Sequence, residues 1–306
     1  MKRIAMLAVL VAVWHTTLAG KLFIPMDTTQ TNHLKAYGIV YNAIAEGKKA
    51  EWLLNYRGGS FVLDYSYATY AACRRAGVAA AEMGDNTYTE IVARVMARGN
   101  NGDVIPLTRA PKMAVYTPGG KKPWDDAVTL ALTYAGIPFD KIYVDEVLAG
   151  ALSKYDWLHL HHEDFTGQYG KFWGQYRDAA WYIAEQKAAM ALAAKHSFGK
   201  VWQMQQAVVR RIQDFIAQGG NLFAMCSATD TYDIALAADG IDICDAPFDG
   251  DGMDPDAQSK LKFDKCVAFT GFVLSTNAME YEYASIDNTT ARLSVPEERD
   301  MFTLYT

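Results

Sequence analysis

DWLHLHHEDFTGQYG, residues 156–170, opens as an alternating apolar strand and closes as a polar loop bearing two glycines. On a strand, Trp157, His159 and His161 share one face while Leu158, Leu160 and His162 share the other. A regular strand therefore cannot bring all three histidines together. It delivers His161, His162, Glu163 and Asp164 at its carboxyl end. Ligands of an open parallel sheet bind beyond the carboxyl ends of its strands, so this stretch predicts a sheet and a site together.

Outward from it, strands and helices alternate. KLFIPMD (21–27), EWLLNY (51–56), KMAVYT (112–117), GGNLFAMCS (219–227) and CVAFTGFVLS (266–275) read as strands. Helical spacing covers 28–47, 68–83, 87–98, 124–135, 145–152, 172–196, 201–218 and 228–240. Residues 21–60 form one βαβ unit, within a first region running to 99. The polar, proline-bearing stretch 100–111 separates it from a main α/β series over 112–275, and 276–306 is irregular. Such an order predicts a three-layer α/β/α fold with a mostly parallel sheet.

The 306 residues are 51% hydrophobic and carry a formal net charge of -6. That supports a sizeable core and argues against non-specific nucleic-acid binding. The start is distinct: MKR, then IAMLAVLVAVW, then TTLAG. It reads as a signal peptide over 1–19, cleaved after Ala19, which sends the chain to the periplasm or outside the cell. No later segment is long and apolar enough for a bilayer span, so no membrane insertion is expected after cleavage. Export permits disulfides, and Cys244 and Cys266 are placed to pair across a loop. Cys73 and Cys226 complete the set, and no CxxC spacing is present.

The loops at the strand ends are DTTQTNH, YRGGS, TPGGKKPWDD, HHEDFTGQYG and CSATDT, all polar or glycine-bearing. AMCSATD places Cys226 between a strand and a helix, the setting of a nucleophile elbow. Ala224 and Ala228 stand where the usual elbow has glycine. Every histidine precedes Cys226, so a base must come from His161, His162 or His33, with Glu163 to orient it. Arg57 with Gly58 and Gly59, and Gly119, Gly120 and Lys121, are suited to holding an anionic ligand, with Asp164 and Ser227 alongside. The glycine loop lacks the spacing of a nucleotide-binding P-loop. HLHHED lacks the HExxH spacing of zinc enzymes, and DGDGMDPD has Met253 and Lys260 where a calcium loop needs ligands. No cofactor and no resident metal is expected. The histidine–carboxylate strand end leaves a metallohydrolase as a lower alternative.

TNHLKAYGIVYNAI, EWLLNYRGGSF, PWDDAVTLALTYAGIPF, YDWLHLHHEDFTGQYGKF and AMCSATDTYDIALAADGIDIC together resemble an exported bacterial family whose members are labelled asparagine synthetase B. The broader similarity is to class I glutamine amidotransferase-like domains with a flavodoxin-like fold. The resemblance implies Cys226 as nucleophile and a hydrolase or amidotransferase-type activity on a small-molecule or peptide-derived ligand. Lys2 stands where a glutamine-dependent asparagine synthetase would carry its nucleophilic cysteine, and no SGGxDS-type ATP loop is present. The His-x-Glu pair that follows the cysteine in class I amidotransferases is absent, which implies a divergent member or one that stops before its final lobe. A non-catalytic periplasmic binding or accessory protein is the alternative reading.

Overall fold

The computed structural model describes residues 20–119 and 126–287. The expected signal peptide, Gly120, Lys121 and the end of the chain lie outside the described residues. The chain divides into two compact units, one of residues 1–110 and 131–137, the other of 111–130 and 138–306.

In the first unit, β1 (Lys21–Ile24) leads through α1 (His33–Ala45) to β2 (Ala50–Leu53). β3 (Ser60–Asp64), α2 (Tyr67–Ala76), β4 (Ala81–Met83), α3 (Asp85–Val95) and β5 (Val104–Leu107) follow. The sheet order is β4-β1-β3-β2-β5, and every pairing in it is antiparallel. This corrects the expectation of a mostly parallel sheet. β1 and β2 do run in the same direction, as a βαβ unit requires, but β3 lies between them and opposes both. The reason is the short turn after β2. Asn55, Arg57, Gly58 and Gly59 all take positive φ, and a turn that short can only fold the chain back on itself. A Cβ at Gly58 would lie 2.3 Å from the Met26 carbonyl oxygen, so glycine is required there. β3 was hidden because FVLD follows the turn without a break. β5 also occupies part of the stretch expected to be a bare boundary.

The second unit holds the parallel sheet. β6 (Met113–Tyr116), β7 (Asp140–Ile142), β8 (Trp157–Leu160) and β9 (Asn221–Ala224) lie in the order β7-β6-β8-β9, all parallel. Leu158 and Leu160 are fully buried, whereas Trp157 and His159 are half-buried, the alternation expected of β8. α4 (Ala127–Ala135) begins in this unit and ends among residues assigned to the first, and the remaining helices are α5 (Val144–Leu148), α6 (Trp173–Tyr176), α7 (Ala180–Lys195), α8 (Val201–Ala217) and α9 (Ser227–Ala237). Two short turns of helix, α10 (Ala246–Asp249) and α11 (Ala257–Lys260), come last. α8 buries Val201, Met204, Val208, Ile212 and Phe215, a stripe at three- and four-residue spacing. The stripe joins Ala114, Leu158, Leu160, Ala228 and Tyr232 in one core. The fold is thus mixed α/β, with one parallel and one antiparallel sheet.

Four further expectations change. The helix expected over 68–83 ends at Ala76, and residues 81–83 form β4 instead. Residues 172–196 are not one helix: Ala179 takes an extended conformation and separates α6 from α7. Residues 266–275 form no named strand, only an isolated bridge between Leu274 and Ala284. The backbone N–H groups of Val267, Ala268 and Phe269 instead donate to the buried carboxylate of Asp233 at 2.7–2.8 Å, so they are not offered to a strand ladder. Finally, Cys244 and Cys266 are both free. The Cys244 thiol faces the Thr166 carbonyl and that of Cys266 faces the Asp233 carbonyl.

Candidate functional site

The carboxyl ends of β6, β8 and β9 carry the chemistry of the second unit. β8 and β9 are in register, Leu160 opposite Ala224. The ladder runs on as Met225 N–H donates to the Leu160 carbonyl, and Ala228 N–H donates to that of His161. Between them sits Cys226, at φ 54° and ψ -146°. Positive φ in this extended range costs a non-glycine residue of order 1–3 kcal/mol. The strain arises because the chain turns from strand to helix within one residue. It leaves the Cys226 side chain exposed at the amino end of α9, as a nucleophile elbow does.

Cys226 opens into a cavity of about 380 Å³ whose lining includes Ser227, Asp230, Phe269, Tyr281, Tyr283 and Asp287. Asp230 is 7% exposed. Burial pushes its carboxyl up to about 6, against the pull of backbone N–H groups, and the charges of Asp287 and Asp164 add to the rise. The cavity therefore holds a thiol and a carboxyl that burial has raised well above its ordinary value.

His161 and His162 belong to a separate cluster beside β8. The chain leaves strand geometry after Leu160, and the two rings turn towards each other, Nδ1 to Nδ1 at 3.2 Å. His161 Nδ1 lies 2.6 Å from Asp126 Oδ2, and His162 Nδ1 lies 3.7 Å from the same oxygen. Asp126 precedes α4 and is 4% exposed. Its other oxygen accepts the Thr129 N–H at 2.8 Å, a helix cap. Burial works to raise the Asp126 carboxyl, but hydrogen bonds from His161 and Thr129 outweigh it, and the carboxyl sits below its ordinary value.

Asp126, not Glu163, therefore partners an imidazole. Glu163 accepts the backbone N–H of His161 at 3.1 Å, and burial pushes it up to about 7. Asp164 is a loop organiser. It accepts from Thr166 N–H and hydroxyl and from Gly170 N–H, while burial raises its carboxyl. His159 stacks on Phe223, ring centroids 5.1 Å apart. Burial lowers it to about 4, and its Nε2 has no hydrogen-bond partner among the described residues.

Arg57, Gly58 and Gly59 belong to the first unit, where Arg57 forks onto Asp27 at 2.6 Å and 3.4 Å and onto the Thr29 hydroxyl at 3.0 Å. The Arg57 hydrogen bond, with help from Thr29, holds the Asp27 carboxyl well below its usual range. His33 bonds the Met26 carbonyl through its ring, 3.0 Å away. Gly119 is an exposed turn residue after β6. In the acidic loop, Lys200 binds both Asp249 and Asp251, and Asp254 accepts the Asp242 N–H.

Sequence reasoning placed Cys226, Ser227 and the histidines at strand ends. It passed over Asp126, although PWDDAV stands in a rim loop just before a helix. It did not single out Asp230 within CSATDT, and Tyr281 and Tyr283 carry no local signal. No protein-family profile matches the chain, and neither the curated proteins nor the solved structures compared with it give a match. Among the described residues no helix is long and apolar enough to cross a membrane.

Proposed function

We propose that the chain is an exported hydrolase of amidotransferase type that attacks an acyl substrate with Cys226. The observation that carries this reading is the strained, exposed Cys226 between β9 and α9, at the mouth of a cavity. The parallel sheet that presents it is compatible with a class I amidotransferase-like fold, and the resemblance of AMCSATDTYDIALAADGIDIC supports the same assignment. In this reading the thiolate adds to an amide or ester carbonyl, and the N–H of Ser227, the residue directly after the nucleophile, faces the developing oxyanion. Asp230, in the same cavity, is the proton acceptor within reach of the cavity's contents. Tyr281 and Tyr283 give the cavity an aromatic wall suited to a small or peptide-derived ligand.

The test is alkylation with iodoacetamide, read by mass spectrometry, together with turnover of a panel of glutamine-like amides and esters. Cys226 is expected to label faster in the folded than in the denatured protein, and Cys226→Ser to abolish turnover. Equal labelling rates, with turnover that survives Cys226→Ser, would overturn the reading. Equal labelling with no turnover at all would favour a non-catalytic binding protein using the same cavity.

A further inference from the structure

The geometry points to a divalent transition-metal site formed by Asp126, His161 and His162, apart from the Cys226 cavity. Three donor atoms converge there: Asp126 Oδ2, His161 Nδ1 and His162 Nδ1. Their separations are 2.6, 3.2 and 3.7 Å. An ion bound through nitrogen and oxygen at about 2.0–2.1 Å holds its donors about 2.9 Å apart in octahedral and about 3.4 Å apart in tetrahedral geometry. The observed triangle brackets both values. Small rotations of the two rings are enough to close the difference.

Asp126 is fixed as a ligand should be. Its second oxygen is held by the Thr129 N–H, and its side chain is 2% exposed. Ligand carboxylates are characteristically locked in this way. The His162 side chain is 39% exposed, and among the described residues no fourth metal-ligating side chain joins the group, so an ion here would be completed by water or by an anionic ligand. Two imidazoles and one carboxylate suit zinc, iron(II), manganese or nickel rather than calcium or magnesium.

The probe is cobalt(II), added to chelator-treated protein and followed by calorimetry and visible absorption. The expected result is about one equivalent bound, with ligand-field bands, and affinity reduced about tenfold or more in His162→Gln and Asp126→Asn. His162 is partly exposed, so His162→Gln should keep the wild-type circular dichroism and carries the test if Asp126→Asn misfolds. His196→Gln, at the other histidine paired with an aspartate, should bind as the wild type does. No stoichiometric uptake by the wild type, or undiminished uptake by His162→Gln, would overturn the assignment. Cys226→Ser is expected to leave stoichiometry and affinity unchanged, so loss of thiol reactivity and loss of metal binding are read independently.

Discussion

Replacing Asp230 by Asn should make the protein more stable at pH 8 and leave its stability at pH 4 nearly unchanged. The carboxyl is 7% exposed in the folded chain, and burial shifts it from 3.8 to about 6. In the unfolded chain it ionises near its ordinary value. Between these two values the folded state holds a proton that the unfolded state has lost. Stability therefore falls as pH rises through that window and levels off above it. A rise of that size corresponds to about 3 kcal/mol, and partial solvent access reduces this to about 2–3 kcal/mol. Asn has similar shape, keeps an acceptor for the backbone N–H groups and never ionises. Urea unfolding of both proteins at pH 4, 5, 6, 7 and 8 measures the difference. The gap in midpoint should open between pH 4 and pH 7 and stay constant beyond. A gap that is independent of pH, or an Asp230→Asn protein less stable than wild type at pH 8, would refute the assignment of a costly buried carboxyl to the cavity. If Asp230 also serves Cys226 as proton acceptor, the stabilised variant should be the slower catalyst.

Two other substitutions test the turn and the loop that frame the same cavity. Cys226→Gly removes the steric cost of positive φ and should raise stability by about 1 kcal/mol while eliminating alkylation at that position, as read by thermal unfolding and mass spectrometry. Asp233→Ala strips the acceptor from three backbone N–H groups and should cost about 3 kcal/mol or more, measured by chemical denaturation, with increased amide hydrogen exchange at 267–269.

What the sequence made legible follows the range of the interactions involved. The parallel sheet of the second unit was readable because β8 alternates Trp157, Leu158, His159, Leu160, and because α8 carries a regular apolar stripe. Both are local periodicities. The strand-to-helix turn at Cys226 was readable for the same reason, although its positive φ was not, since neither Ala224 nor Ala228 announces strain. The antiparallel sheet was missed because its cause is a turn. Arg57, Gly58 and Gly59 suggested an anion clamp, and only the backbone shows that they reverse the chain and commit Arg57 to Asp27. The partners of the site residues were the least legible. Asp126 meets His161 from a distant loop, and Glu163, closer in sequence, bonds the His161 backbone. Likewise the apolar run 266–275 looked like a strand until Asp233, on another element, took its N–H groups.

The grip of Asp233 on residues 267–269 bears on how this cavity could be reshaped. The helix that starts just after Cys226 holds the facing loop by its main chain, and main-chain hydrogen bonds are indifferent to side-chain identity. Phe269 forms part of the wall, and Val267 projects into solvent. Phe269 also packs against the core of Ile234, Ala237 and Ile241. Selection, or a designer, can therefore reshape the cavity by exchanging Phe269 for another apolar side chain that keeps this packing, while Asp233 holds the main chain of the loop in place.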